Sequence, residues 1–74
     1  MSEPLYMVVV NTITAQVRAG VRKPGERLPS IVELAAEFDV SPSTIKTALM
    51  ILRERGVVVG QQGKATYIAQ QGRG

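Results

Sequence analysis

The sequence predicts a small, mainly α-helical domain in which three helices are followed by a two-stranded β-hairpin, an α+β arrangement. Three observations support this prediction. Apolar residues recur at helical spacing in three successive segments of the first 55 residues. Serine, proline and glycine stand where those helices should begin and end. Beyond residue 56, two runs rich in β-branched and aromatic residues flank a glycine-containing segment, which is typical of a hairpin.

Length and composition narrow the function classes. A chain of 74 residues is near the lower limit at which a domain folds without disulfides or metal, so we expect residues 1–74 to form one domain with a loose tail at 70–74. The sequence has no cysteine and no histidine, which removes the commonest zinc ligands, thiol nucleophiles and proton carriers at neutral pH. We therefore expect neither enzymatic activity nor a cofactor.

The charge balance and the apolar runs bear on partners and location. Nine lysine and arginine residues against six acidic ones give a formal charge of +3, which permits nucleic-acid binding without demonstrating it. No apolar run approaches the ~20 residues of a membrane span. The N-terminus also lacks the basic start and the cleavage site of a secretory signal. We expect a cytoplasmic protein that does not contact a membrane.

The first helix is predicted over residues 5–19, with Gly20 as its stop. Its buried face is expected to consist of residues at helical spacing, namely Tyr6, Val9, Ile13 and Val17. Three further residues make its first half apolar nearly all round: Met7, Val8 and Val10. Part of this surface should therefore meet something other than the core, and both the C-terminal strands and a second subunit are open alternatives.

A turn at residues 23–26 and a short extended segment ending at Pro29 should precede the second helix. Ser30 is expected to cap that helix, because Glu33 stands three residues later and completes a capping box. The buried face is then Ile31, Leu34, Ala35 and Phe38. Asp39 follows where the chain must turn sharply, and aspartate tolerates the left-handed backbone conformation better than most residues.

Ser41 and Pro42 predict the start of a third helix, because serine caps helices and proline is tolerated at the first helical position. From Pro42 to Arg55 one helix face is apolar and consists of Ile45, Ala48, Leu49 and Leu52. Roughly 160° away lies a second stripe, consisting of Ser43, Lys46, Thr47 and Met50. The first face suits a core, whereas the second suits the floor of a DNA major groove.

About three residues separate the second and third helices, which is the spacing of a helix-turn-helix whose second helix enters the groove. The β-rich pieces 57–59 and 67–69 surround residues 60–64 (GQQGK) and predict a hairpin. A hairpin in this position is a wing, so the whole arrangement is a winged helix-turn-helix. Lys64 follows Gly63 and Gln62 at the wing tip, which favours contact with phosphates or the minor groove over turn chemistry alone.

These residues resemble the DNA-binding domain of the GntR family of bacterial transcription regulators. The similarity covers nearly the whole chain and is carried by residues 4–6 (PLY), 24–30 (PGERLPS), 33–35 (ELA), 43–46 (STIK) and 63–68 (GKATYI). The resemblance implies a domain that binds a pseudo-palindromic operator as two copies. It also implies that the third helix enters the major groove and that the wing approaches the minor groove.

The resemblance implies phosphate contacts by two hydroxyl positions, Ser30 and Thr44. It places the start of the third helix, at Ser41 and Pro42, against DNA, and Lys46 matches a basic position in that helix. Ser43 and Thr47 stand beside Lys46, and on the second helix of a helix-turn-helix we expect these three side chains to contact bases instead of forming an ordinary solvated face.

The chain departs from the family at two positions. Relatives commonly carry an arginine where this chain has Val32, and often another where it has Pro42. Arginine discriminates guanine by ~1–3 kcal/mol per pair of hydrogen bonds, and neither residue here can donate them. We therefore expect an operator that depends less on guanine, or else reduced affinity with unchanged specificity. Val32 either meets a thymine methyl group or makes no base contact.

The remaining basic and apolar residues have competing interpretations. Arg27 and Arg22 are equally well explained as phosphate contacts or as plain surface charges. Arg53 and Arg55 lie where the helix dipole favours cations, so we expect no DNA contact from them. Two apolar residues lie outside the apolar face of the third helix. Met50 either touches bases or is exposed, and Ile51 is available, with Met7, Val8 and Val10, for a contact between subunits or with another protein.

We therefore predict a sequence-specific, DNA-binding transcription regulator, most simply a repressor that occludes a promoter. The alternatives are a protein–protein interaction module and an architectural DNA-binding factor of a plasmid or phage. Family members usually carry a C-terminal effector domain, so the chain is either a fragment or a free-standing winged helix without a small-molecule effector. Its start at Met1 and its Gly-Arg-Gly tail favour a natural short protein, monomeric off DNA and dimeric on it.

Overall fold

The computed structural model describes residues 3–60 and 65–70. Its elements in chain order are α1 (Leu5–Arg18), α2 (Ile31–Phe38), α3 (Pro42–Glu54), β1 (Val58–Gly60) and β2 (Thr66–Ile68). The strands pair antiparallel, with Val58 opposite Ile68. None of the helices in this part of the chain is long and apolar enough to cross a membrane. The predicted winged helix-turn-helix is confirmed.

Helix α3 organises the core, because α1, α2 and β1 all pack against it. The four residues predicted for its apolar face are all buried: Ile45, Ala48, Leu49 and Leu52. They join one apolar cluster with Ile13 of α1, Leu34 of α2 and the inward-facing residues of both strands. The opposite side of α3 is consequently left for solvent or for a partner.

The buried face of α1 differs from the prediction at its first turn. Val10 is fully buried, whereas Tyr6 is 36% exposed. Met7 packs partly against the core and Val8 remains exposed. Because the first half of α1 is apolar nearly all round, its sequence pattern does not select one direction. Packing against α3 determines which face of α1 is buried. The C-terminal strands are not the main contact of this helix.

The helix-turn-helix forms as its capping residues predict. The Ser30 hydroxyl accepts a hydrogen bond from the Glu33 amide at 3.1 Å, and the Glu33 carboxylate accepts one from the Ser30 amide at 2.8 Å. Asp39 adopts the left-handed conformation with φ of 57°. The Ser41 hydroxyl then accepts from the Thr44 amide at 3.2 Å, and Pro42 is the first residue of α3.

The segment at residues 26–28 extends the sheet on the free edge of β2. The Leu28 amide donates to the Thr66 carbonyl, the Ile68 amide donates to the Glu26 carbonyl, both at 2.8 Å, and Arg27 bridges Tyr67. The strands themselves are β1 at 58–60 and β2 at 66–68, each one residue away from the predicted positions. The chain thus passes from the sheet directly into the N-cap of α2.

Candidate nucleic-acid interface

The stripe of α3 that was predicted to face DNA lies on its accessible side. Ser43 and Lys46 are exposed, Met50 is 49% exposed, and Thr47 is half-buried. Within residues 3–60 and 65–70, the one salt bridge involves Arg22 and Glu37, so the ammonium group of Lys46 is not neutralised by a carboxylate there. α3 therefore presents on one face the ammonium group of Lys46, two hydroxyl groups and the thioether of Met50.

The N-terminal ends of α2 and α3 present further hydroxyl groups. The Ser30 oxygen accepts the Glu33 amide, which leaves its own O–H group able to donate outward. The hydroxyl oxygens of Ser41 and Thr44 are 3.1 Å apart, so one of them donates to the other and the pair keeps one O–H group for an outside acceptor. Both helix ends also carry the positive end of the helix dipole.

Val32 and Pro42, the two departures from the family pattern, are both accessible. Val32 lies in the first turn of α2 and is 72% exposed, and Pro42 opens α3. Neither side chain carries a hydrogen-bond donor, so only apolar contact is available to a partner at these positions. A thymine methyl group is the feature of the major groove that accepts such contact.

The carboxyl group of Glu33, in the first turn of α2, has a lowered pKa. The pKa of the Glu33 carboxyl is lowered, chiefly because the carboxylate accepts the amide hydrogen bond of Ser30 and next because of the Ser30 hydroxyl. The positive charge of Arg27 lowers this pKa further. Arg27 is exposed and lies three residues before Ser30 in the chain.

Arg22 does not belong to this surface, which corrects its interpretation as a surface charge or a phosphate contact. Its side chain is only 11% exposed and forms a salt bridge with Glu37 at 3.3 Å. Its Nε atom also donates to the Gln16 side-chain oxygen at 2.7 Å. The two partners come from α1 and α2, six and fifteen residues away, so no local sequence pattern indicates this contact.

Ile51 packs against the core and is half-buried, so the interpretation of an intersubunit contact is unnecessary for it. Arg53 and Arg55 are exposed at the C-terminal end of α3. Here the structure agrees with the expectation that the two arginines stand where the helix dipole favours cations.

Three predicted contacts, Gln62, Gly63 and Lys64, lie outside the described residues. The strand ends on either side of them are described, and Gly60 has a role that the sequence alone does not indicate. A Cβ atom at Gly60 would lie 2.9 Å from the Ala65 carbonyl oxygen and 3.0 Å from the Thr66 Cα atom. These are backbone atoms, so only glycine fits at the end of β1.

Comparison with known proteins agrees with this geometry. The family model for bacterial regulatory proteins of the gntR family matches residues 5–68. The histidine utilization repressor of Klebsiella aerogenes is 39% identical over 67 residues, which cover 90% of this chain and 28% of that protein. The HTH-type transcriptional repressor YtrA of Bacillus subtilis is 32% identical over 69 residues, which cover 93% of this chain and 53% of that protein. The chain thus spans between 28% and 53% of the length of these two curated relatives.

A solved structure of the AraR DNA-binding domain in complex with operator ORR3 has a TM-score of 0.86 and 30% sequence identity to this chain. The match covers 93% of this chain and 83% of the AraR chain. The family match extends over most of the residues, and the winged fold is the same as in the solved structure. The chain belongs to the GntR family of bacterial regulatory proteins.

Proposed function

We propose that this domain recognises a specific DNA operator and acts as a transcription regulator, with α3 in the major groove and the wing at the minor groove. The observation that carries the proposal is the accessible stripe of α3, which bears Lys46 on the second helix of a helix-turn-helix. The match to AraR bound to its operator supports the same placement. A regulator of this kind works in the bacterial cytoplasm, where the operator is.

Three sets of contacts are proposed: to the DNA backbone, to bases in the major groove and to the minor groove. The DNA backbone is held by Arg27 and by hydroxyl groups at the helix starts, namely Ser30, Ser41 and Thr44. The bases are contacted from α3 by Ser43, Lys46 and Thr47. At the minor groove the contacts come from Gln62, Gly63 and Lys64.

The operator should depend less on guanine than the operators of relatives that carry arginines at the matching positions. The exposed Val32 side chain is placed to meet a thymine methyl group, and Pro42 contributes surface without a hydrogen bond. Lys46 is then the main side chain able to donate to a guanine. We expect one conserved guanine at most in each half-site and A·T pairs beside it.

Two copies should bind a pseudo-palindromic operator, and the isolated protein should be a monomer. Adjacent half-sites one helical turn apart have centres about 34–36 Å apart. The domain measures 35 × 30 × 20 Å, so two copies fit side by side on one face of the duplex. Occupancy of such a site blocks a promoter sterically, which makes repression the simplest outcome.

Selection of bound sequences from a random DNA pool tests the proposed function. The expected product is an inverted repeat whose half-site centres are about one helical turn apart. Enrichment of no sequence, with binding that depends on charge alone, would contradict sequence-specific recognition and would favour an architectural role.

A protein–protein interaction module is the second candidate, and one observation favours it. Leu5 and Val8 lie one helical turn apart on α1 and are 60% and 41% exposed. Salt separates the two functions, because phosphate binding weakens steeply between ~50 and 200 mM salt whereas an apolar interface hardly responds.

A further inference from the structure

The outer face of the sheet carries a row of three side chains, Arg27, Tyr67 and Val59. Tyr67 pairs with Val59 in the β1–β2 register and bridges Arg27 on its other side. Each member of the row has one buried neighbour, namely Leu28, Ile68 or Val58, and alternation along each strand turns the row away from the core. Tyr67 is 42% exposed and Val59 is 51% exposed. We refer to these three residues as the outer row.

The outer row lies between the two elements that we place on DNA. Residues 26–28 run toward Ser30 at the start of α2, and β2 runs antiparallel to them, so its N-terminal end points the same way. The connection between β1 and β2 and the start of α2 therefore lie at the same end of the sheet. Ser30 is three residues from Arg27, or at most about 10 Å along an extended chain.

Arg27 is the charged member of the outer row and lies three residues before Ser30, the N-cap of α2. Its positive charge lowers the pKa of the Glu33 carboxyl in the first turn of that helix. Tyr67 stands beside Arg27 on the adjacent strand, about 5 Å away at the backbone. Its side chain has a similar length and ends in a neutral hydrogen-bond donor.

We infer that the Tyr67 hydroxyl donates a hydrogen bond to a phosphate oxygen of the DNA strand that passes between the major-groove helix and the wing. The inference rests on the proposed function. Tyrosine hydroxyls are among the groups that position proteins on the phosphate backbone, and Arg27 supplies the charge that Tyr67 lacks. Tyr67 thus sets the height of the wing on the duplex and carries no sequence information itself.

The test compares Tyr67→Phe with Arg27→Ala on a duplex recovered from the random pool. Tyr67→Phe should weaken binding about tenfold or more, because one hydrogen bond to a charged group is lost. It should leave the dependence of affinity on salt unchanged, because a neutral group displaces no counterion from DNA. Arg27→Ala should weaken binding and reduce the logarithmic salt slope by about 0.9.

The matched control is Val59→Thr, which changes the member of the outer row farthest from Arg27 and should bind like the parent. All three variants should unfold at temperatures close to the parent's, since the row does not contribute to the core. Replacement of single phosphates by methylphosphonate should identify one position that weakens the parent and has no further effect on Tyr67→Phe.

Parental affinity of Tyr67→Phe would overturn the inference, and so would equal sensitivity of parent and variant at every phosphate. Those results would leave the proposed function standing, provided that the parent itself binds DNA. Failure of the parent to bind any duplex at low salt would instead overturn the proposed function and this inference together.

Discussion

Replacement of Arg22 by alanine should destabilise the domain without touching its DNA surface. The guanidinium group is buried and donates to Gln16 at 2.7 Å, a hydrogen bond from a charged donor that contributes about 1.5 kcal/mol. Its 3.3 Å contact with the half-exposed Glu37 adds at most about 1 kcal/mol, because solvent screens that pair. Removal of the buried aliphatic stem costs a further 1–2 kcal/mol or so. We expect a loss of about 3 kcal/mol.

For a domain of this size, that loss corresponds to a fall in Tm of roughly 10–20 °C. Thermal unfolding followed by circular dichroism measures it, with Arg18→Ala as the control, because Arg18 is an exposed arginine nearby and should change stability by less than about 0.5 kcal/mol. Glu37→Gln should cost less than about 1 kcal/mol. An Arg22→Ala protein that unfolds with the parent, or a Glu37→Gln protein that loses as much as Arg22→Ala, would refute this reasoning.

Two further predictions concern the helix-turn-helix. Asp39 has φ of 57°, so Asp39→Ala should lower the free energy of unfolding by about 1 kcal/mol while Asp39→Gly is tolerated; equal urea midpoints of the two variants would argue against backbone strain there. The folded-state pKa of Glu33 lies below its usual value of 4.5, so its carboxylate contributes stability above that value and loses the contribution as the pH falls through the folded pKa. Glu33→Gln should therefore show a flatter decline in urea midpoint from pH 6 to pH 3 than the parent, and parallel curves would count against the capping charge.

Much of the fold follows from local patterns in the sequence. Ser30, Asp39 and Ser41 each determine a helix end or a turn through their own backbone and nearby amides, so their roles are visible without the tertiary structure. The apolar face of α3 is equally clear, because its four residues recur at helical spacing. α1 shows the limit of this approach: where apolar residues surround a helix, only packing decides that Val10 is buried and Tyr6 is not.

The exposure of the candidate DNA-contacting residues could be predicted where they lie on one helix and not where it depends on long-range contacts. Lys46 and Ser43 are exposed because helical periodicity alone puts them opposite the core. The burial of Arg22 depends on its contact with Glu37, fifteen residues later. The outer row depends on pairing between Arg27 and a strand forty residues away. Neither relationship has a signature within a short stretch of sequence.

A comparison of one lysine variant with one arginine variant tests whether α3 faces DNA. Affinity for the selected duplex should be measured from ~50 to 200 mM salt for the parent, Lys46→Ala and Arg55→Ala. The parent should weaken steeply with salt, Lys46→Ala should bind clearly less well at every salt concentration, and Arg55→Ala should remain close to the parent. Equal losses for the two variants would mean that bulk charge alone drives binding and would contradict the placement of the α3 stripe in the groove.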